Sequence, residues 1–279
     1  MSNKTGGRKI SRILIYFSLI FLTIICILPF YIMLINATRS NAEIVRSLSL
    51  LPGSNIIKNY HSMLKGVNIW RGLGNSAFIA ISYTILSAYF SALTAYGFSK
   101  YKFKGKSILF GIVLLTMMVP AQLSLIGYYE LNNKLNLLDT YFPLILPGIA
   151  NSFTVFFLKQ YIDANVPGTI IEAARIDGAS EFKTFHRIIL PIISPAIATM
   201  SIFNFVFAWN NYIQPLVLIF SNEKYPLPVL IGFLRGSSYK TDFGAIYLAI
   251  AISVLPIIIA YILFSKYIIG GITMGSVKE

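Results

Sequence analysis

Long charge-free runs alternate with short charged segments along the chain. Runs of at least 19 residues without Asp, Glu, Lys or Arg cover 13–38, 72–99, 107–129, 140–158, 188–222 and 243–265, and every other such run has 11 residues or fewer. A helix needs roughly 20 mostly apolar residues to cross a bilayer. The pattern therefore predicts six transmembrane helices, at about 13–36, 75–98, 108–128, 141–160, 192–219 and 244–265. Strands of a membrane barrel alternate over roughly 10-residue segments, which these runs do not do. The expected fold class is an all-α polytopic membrane protein. The run 188–222 has 35 residues, too long for one straight span and too short for two with a turn. Pro191, Pro195 and Pro215 predict irregular ends around a single helix there.

Basic residues orient the spans. With the N-terminus inside, the inner segments hold 14 of the 23 Lys and Arg residues. Lys100, Lys102, Lys104 and Lys106 form a tight quartet, and Lys4, Arg8, Lys9 and Arg12 precede the first span. Short flanking segments dominate the positive-inside rule, so both termini are expected on the cytoplasmic side. The organisation predicted is a cytoplasmic N-terminus (1–12), a transmembrane domain (13–268) and a cytoplasmic tail (269–279). The first run is longer than the roughly 7–15 apolar residues of a signal peptide and has no small-x-small cleavage site after it, so it is read as a retained span.

Composition narrows the class further. The chain is 56% hydrophobic and 12% charged, with a mean hydropathy of +0.71. A soluble domain carries about 25% charged residues, so a soluble globule and a disordered chain are excluded. The formal charge of +13 is spread among apolar runs, which fits cytoplasmic loops and lipid better than nucleic acid. Cys26 is the single cysteine, which leaves no internal disulfide and no cysteine-based metal site. His61 and His186 would lie on opposite sides of the membrane, so no metal site is expected. Gly105-Lys106-Ser107 ends like a phosphate-binding loop, but Lys100 stands where the leading glycine belongs. No catalytic residue emerges.

Ionisable residues inside spans mark ion-coupled carriers, and these runs contain none. The polar groups expected at membrane depth are neutral: Gln122, Asn151, Asn204, Asn210, Asn211 and Gln214. Neutral amides with aromatic neighbours suit an uncharged, hydroxyl-rich solute. The alternative for each is a hydrogen bond between helices, worth about 1 kcal/mol. In the fifth span Ser201, Asn204, Ala208 and Asn211 recur at helical spacing as a polar stripe. Phe205, Phe207, Trp209 and Tyr212 beside it could stack on the faces of such a solute, or merely pack.

The inner segment 164–190 breaks the pattern. Thr169 and Glu172 read as a capping box that starts a helix at 170. Gly178 can take the left-handed conformation that ends it, and Ser180 can cap a second helix. Two short helices joined by a glycine elbow are therefore expected. Ala173, Ala174 and Ala179 keep its surface small enough for a partner to approach. Glu172, Arg175, Asp177 and Glu181 offer charges for pairing. An ordinary amphipathic surface pair would show the same spacing.

Glu172-Ala173-Ala174-x-x-Asp177-Gly178-Ala179, followed by Phe182 and Leu190-Pro191, closely resembles the EAA loop of ABC-importer permease subunits. Gly271-Ile272-Thr273-Met274-Gly275-Ser276-Val277-Lys278 resembles the chain ending of the maltose-type, or multiple-sugar, branch. Phe207-Ala208-Trp209-Asn210-x-Tyr212-x-x-Pro215-Leu216 is similar to that branch's fifth span. Ile272, Ser276 and the terminal Glu279 depart from the branch pattern. The likeness extends over nearly the whole chain.

The resemblance implies a bacterial cell-membrane subunit that pairs with a second, homologous permease. It implies two ATPase subunits beneath, carrying ATP and Mg, with no cofactor in this chain. It also implies an extracellular binding protein that delivers a sugar, with an oligosaccharide expected. On this reading the chain is no enzyme. Glu172, Ala173, Ala174, Asp177, Gly178 and Ala179 would couple to the ATPase. Gln122, Asn204, Trp209, Asn210, Asn211 and Gln214 would line the substrate path, although the partner permease could supply most of that binding. Arg235, Ser237 and Tyr239 in the outer loop 221–243 would reach the binding protein, unless that loop is a plain connector. The rivals are an ABC importer for another solute and a secondary sugar carrier. The Ile/Lys/Asn-rich usage hints at a low-GC bacterium.

Overall fold

The computed structural model of the protein describes residues 4–120, 122–235 and 241–274. Its regular secondary structure among these residues is all helical: α1 Lys4–Ala37, α2 Asn41–Arg46, α3 Ile56–Gly66, α4 Ile69–Lys100, α5 Lys106–Met118, α6 Leu125–Lys134, α7 Phe142–Ile145, α8 Ser152–Asn165, α9 Gly168–Ile176, α10 Glu181–Thr184, α11 Leu190–Ile192, α12 Ser194–Trp209, α13 Ile213–Leu218, α14 Leu227–Arg235 and α15 Phe243–Met274. Among the described residues four stretches are long and apolar enough to cross a membrane: 12–37, 69–100, 142–165 and 243–265. A fifth would be 181–209, which bends by 77° between α11 and α12. Pro191 and Pro195 withhold two backbone donors there, and Phe185–Ile189 relaxes into a π-turn just before the bend.

The stretch expected as a third span, 108–128, is not one helix. α5 has 13 residues and is about 20 Å long, short of the roughly 30 Å hydrocarbon core. Pro120 ends it: a residue before proline is pushed out of the helical region, and Val119 is extended at φ −80°, ψ 118°. The chain becomes helical again at Leu125. The expected span 192–219 is likewise interrupted, because α12 stops at Trp209 and α13 begins at Ile213. The expected 141–160 is broken by a 3₁₀ turn over Leu146–Ala150. At that turn Gly148 lies so close to α4 that a Cβ would meet the Tyr83 carbonyl oxygen at 2.7 Å. The final helix continues past the expected boundary at 268, as far as Met274.

The chain divides into two compact units, residues 1–69 with 231–254 and residues 70–230 with 255–279. In the first, the segment after α1 is folded around Arg39, which is 6% exposed. Its guanidinium donates to the backbone carbonyls of Glu43 at 2.8 Å and Ser47 at 3.0 Å. Ser40 and Glu43 form a reciprocal capping box at the start of α2. The buried Asn59 amide donates to the carbonyls of Ala37 and Arg39. Gly244 packs on that amide, 2.5 Å from where its Cβ would stand.

The second unit has its main core where α4, α8 and the 185–200 stretch meet. Ala92, Ala95, Leu158, Ile162, Phe185, Ile189 and Met200 are almost wholly buried there. At its other end Asp139 ties two loops together. Its carboxylate accepts from the backbone N–H groups of Phe220 and Ser221, the Ser221 hydroxyl and the Lys224 ammonium. Those donors, the Ser221 hydroxyl foremost, hold the carboxyl well below the usual carboxylate range. Asp139 and Asn136 adopt the left-handed conformation, at φ 55° and 54°, which Asn and Asp tolerate better than other side chains.

Candidate functional site

Two arrangements in the second unit hold most of the residues that the sequence singles out. The first is the elbow. α9 begins at Gly168 after Pro167, with no side-chain cap. Thr169 therefore sits inside the first turn and does not cap the helix, which corrects the expected start at 170. Proline before the first turn presets the entry geometry without needing a hydroxyl. The far end follows expectation: Gly178 is at φ +74°. The Ala179 N–H bonds the Ala174 carbonyl at 2.9 Å and the Gly178 N–H bonds that of Arg175 at 3.0 Å. This is a Schellman ending, which uses the last carbonyls of the helix and turns the chain sharply. Ser180 then caps the next helix by accepting from the Lys183 N–H at 3.3 Å.

Glu172, Ala173, Asp177 and Gly178 are exposed, Ala179 is half-buried, and Ala174 turns inward. Two large apolar residues flank the turn in the open, Ile176 at 86% and Phe182 at 68% exposure. The inner side is fastened by groups that the sequence did not single out for that task. The Glu181 carboxylate accepts from Arg175 Nε at 2.7 Å, from the Tyr101 hydroxyl, and from the Tyr96 hydroxyl at 3.4 Å. Burial first, then the Glu181 carboxylate, hold the Tyr101 phenol far above its ordinary range, so it remains a donor. Lys100 Nζ donates to the Val166 carbonyl at 2.5 Å, just before α9. The elbow is thus held at both ends against the end of α4, and its outer face is left open.

The second arrangement is a groove of about 630 Å³ lined by Gln122, Leu125, Val206, Phe207, Asn210, Asn211, Tyr212, Ile213 and Gln214. Two helix interruptions create it: the break at Pro120 carries Gln122, and the break after Trp209 carries Asn210 and Asn211. Non-helical backbone at membrane depth is tolerated where it lines a cavity, and discontinuous helices form substrate sites in many transporters. Asn211 Nδ2 donates to Gln214 Oε1 at 2.7 Å. A smaller cavity of about 120 Å³ shares Phe207, Asn211 and Gln214 and is closed by Ser76 and Tyr83. The groove therefore brings four of the six expected path residues together.

Asn204 and Trp209 lie elsewhere. Asn204 is 4% exposed, and its amide is fully engaged inside the bundle. Asn204 Nδ2 donates to Ser87 Oγ at 2.9 Å and Thr154 Oγ1 at 3.1 Å, while Oδ1 accepts from Asn151 Nδ2 at 3.0 Å. Asn151 also donates to the Tyr83 hydroxyl and caps α8 through the Thr154 N–H. The stripe Ser201, Asn204, Ala208 is buried and holds α12 to α4 and α8. Trp209 is 2% exposed and stacks on Phe205 at 5.5 Å. Neither residue lines the groove in this structure: both side chains are taken up by neighbouring groups in the bundle. Arg235 ends α14 and is exposed. Ser237 and Tyr239 lie outside the described residues, as does 275–279 of the expected tail motif.

Residues 85–273 match the family described as binding-protein-dependent transport system inner membrane component. The arabinooligosaccharides transport system permease protein of Bacillus subtilis (strain 168) is 32% identical over 274 residues, which cover 97% of each chain. The diacetylchitobiose uptake system permease protein of Streptomyces coelicolor is 30% identical over 263 residues, 93% of this chain and 87% of that one. A crystal structure of a bacterial ABC transporter involved in import of the acidic polysaccharide alginate superposes with a TM-score of 0.79 at 25% identity, covering 94% of this chain and 98% of that chain.

Proposed function

Because the chain belongs to the binding-protein-dependent transport system inner membrane components, in their sugar-permease branch, we propose that it is a permease subunit of an ATP-driven oligosaccharide importer. It crosses the cell membrane six times, with 107–134 and 181–218 as broken spans and both termini inside. It forms the solute path with a second, homologous permease, and an extracellular binding protein delivers the sugar. Two ATPase subunits carry ATP and Mg beneath the permease pair, and one of them docks on this chain's elbow. Glu172, Ala173, Asp177, Gly178 and Ala179 form the docking face, with Ala174 supporting it from within.

The elbow is the observation that carries this reading. A capped glycine turn with Ile176 and Phe182 exposed, fastened to the end of α4, has the form of a rigid lever. Such a lever can transmit a two-state closure beneath the membrane to the helices above. In the groove, Gln122, Asn210, Asn211 and Gln214 offer neutral donors and acceptors, and Phe207 and Tyr212 offer ring faces. That chemistry fits sugar hydroxyls and the apolar faces of sugar rings.

The test uses the complete complex in proteoliposomes, loaded with binding protein and neutral oligosaccharides. ATP-dependent uptake is expected. Glu172→Lys should reduce recovery of the ATPase subunits with the permease and reduce uptake in proportion, with permease levels unchanged. Normal ATPase recovery and uptake in that variant would remove the elbow from the docking site. The outer loop carrying Arg235, Ser237 and Tyr239 is assigned to the binding protein on the same reading. Replacing 235–240 with a Gly/Ser segment of equal length should lower the ATPase stimulation produced by sugar-loaded binding protein, while basal hydrolysis is kept. Undiminished stimulation would reduce the loop to a connector.

A further inference from the structure

The segment after α1 makes a closed excursion whose lowest point runs back along the helix. Both of its ends are fixed at Thr38. The Gly53 N–H donates to Thr38 Oγ1 at 2.8 Å, and the Asn55 N–H donates to the Thr38 carbonyl at 2.7 Å. No side chain fits at 53, where a Cβ would stand 2.7 Å from the Thr38 carbonyl oxygen. The middle of the excursion is fixed elsewhere: the Tyr31 hydroxyl donates to the Leu50 carbonyl at 2.7 Å. Tyr31 lies six residues before the end of α1, about 9 Å down the helix at 1.5 Å per residue. Helical side chains lean toward the N-terminus, so the hydroxyl is no nearer the helix end than its own Cα. Leu50 has therefore descended about two helical turns from the point where the chain left α1.

That depth places the excursion at the membrane surface. Roughly 20 apolar residues span the hydrocarbon core. Counted from Ile13, the first residue after Arg12, they end near Met33. Tyr31 and Leu50 then sit at or a few ångströms beneath the edge of the core, where tyrosines concentrate in membrane proteins. The residues of the excursion match that place. Val45, Leu48, Leu50 and Leu51 are 68%, 74%, 52% and 76% exposed, and Phe30 and Leu34, which flank Tyr31 on α1, are exposed as well. Its interior is rigid and polar: Arg39 donates to the Glu43 and Ser47 carbonyls, and the Leu51 N–H donates to Ser49 Oγ. An apolar patch of this kind on a water-facing loop would be costly and would mark an interaction surface.

We propose that residues 45–51 form a lipid-inserting loop, with Leu48, Leu50 and Leu51 seated in the glycerol and upper acyl region of the leaflet at the C-terminal end of α1. The loop anchors that end of the helix at a fixed depth. Interfacial apolar segments bury about 5–10 Å into this boundary, and the Tyr31 contact holds Leu50 close to the edge of the hydrocarbon core, within that zone. The inference requires only that α1 crosses the bilayer. It does not depend on which solute is carried or on how the ATPase docks.

The full complex is reconstituted in phosphatidylcholine/phosphatidylglycerol nanodiscs, in a Cys26→Ala background. An environment-sensitive fluorophore is attached at Leu48→Cys, at Leu51→Cys, and at Lys65→Cys as the control outside the loop. Nitroxide at acyl carbon 5 should quench positions 48 and 51 severalfold more than position 65, and aqueous iodide should show the opposite order. Tyr31→Phe, which removes one hydroxyl and leaves α1 apolar, should weaken lipid quenching at 51 and increase that by iodide. Iodide quenching at 51 equal to that at 65 would overturn the proposal. So would protection from both quenchers, which would assign the patch to a covering protein surface. The readout is independent of uptake, so a complex that imports no sugar still tests it.

Discussion

Gly178→Val should abolish uptake while leaving the permease in the membrane at its normal level. Gly178 is at φ +74°, where an ordinary L residue is disfavoured by about 1–2 kcal/mol and a β-branched one more strongly. An added Cβ would meet nothing within 4 Å, so the substitution acts through backbone conformation and not through a clash. Relief of the strain would open the bonds from the Ala179 and Gly178 N–H groups to Ala174 and Arg175, and the elbow would lose its shape. Asn tolerates the left-handed region. Gly178→Asn should therefore retain uptake within about twofold, since 1.4 kcal/mol corresponds to a tenfold change. Transport by both variants, with ATPase recovery alongside, checks this. Normal transport in the valine variant would show that the turn geometry is not used for coupling.

The elbow was legible because its determinants are local. A glycine followed two residues later by serine, between two helical patterns, carries its own geometry, and the structure differs only at the entry. There the helix begins at Gly168, directly after Pro167, and Thr169 does not cap it. The groove was legible as a set of residue types but not as a place. Charge-free runs measure apolar length and cannot tell which prolines interrupt a helix. Pro29 and Pro256 lie inside the continuous helices α1 and α15, whereas Pro120 and the Pro147-Gly148 pair coincide with breaks. What differs is the surroundings: Val119 favours the extended backbone, and Gly148 must pass against Tyr83. The fastening of the elbow was out of reach for a similar reason. Tyr96, Tyr101 and Glu181 lie up to 85 residues apart in sequence and meet only once α4 and the inner loop have packed. Asn204 shows the limit of periodicity, because a polar stripe reads the same whether it faces a pore or a neighbouring helix.

Asn204→Leu should lower the thermal stability of the assembled complex more than any single substitution in the groove. Leucine fills a similar volume but offers no partner to Ser87 Oγ, Thr154 Oγ1 or the Asn151 amide, all of which bond Asn204. Interhelical hydrogen bonds in membranes are worth about 0.6–1.7 kcal/mol each, and a buried polar group left unpaired costs about 1–3 kcal/mol. A loss of about 3 kcal/mol is expected, or roughly 6–12 °C in melting temperature for a chain of this size. Uptake per correctly assembled complex should change little, because Asn204 does not line the groove. Asn210→Leu should do the opposite: Asn210 is exposed on the groove wall, so melting should stay within a degree or two while uptake falls. Melting of the purified complex and uptake normalised to assembled protein separate the two roles. An Asn204→Leu complex that melts normally yet fails to transport would return that residue to the solute path. It would also mean that the Asn151–Asn204–Thr154 network contributes little to holding α12 against α8.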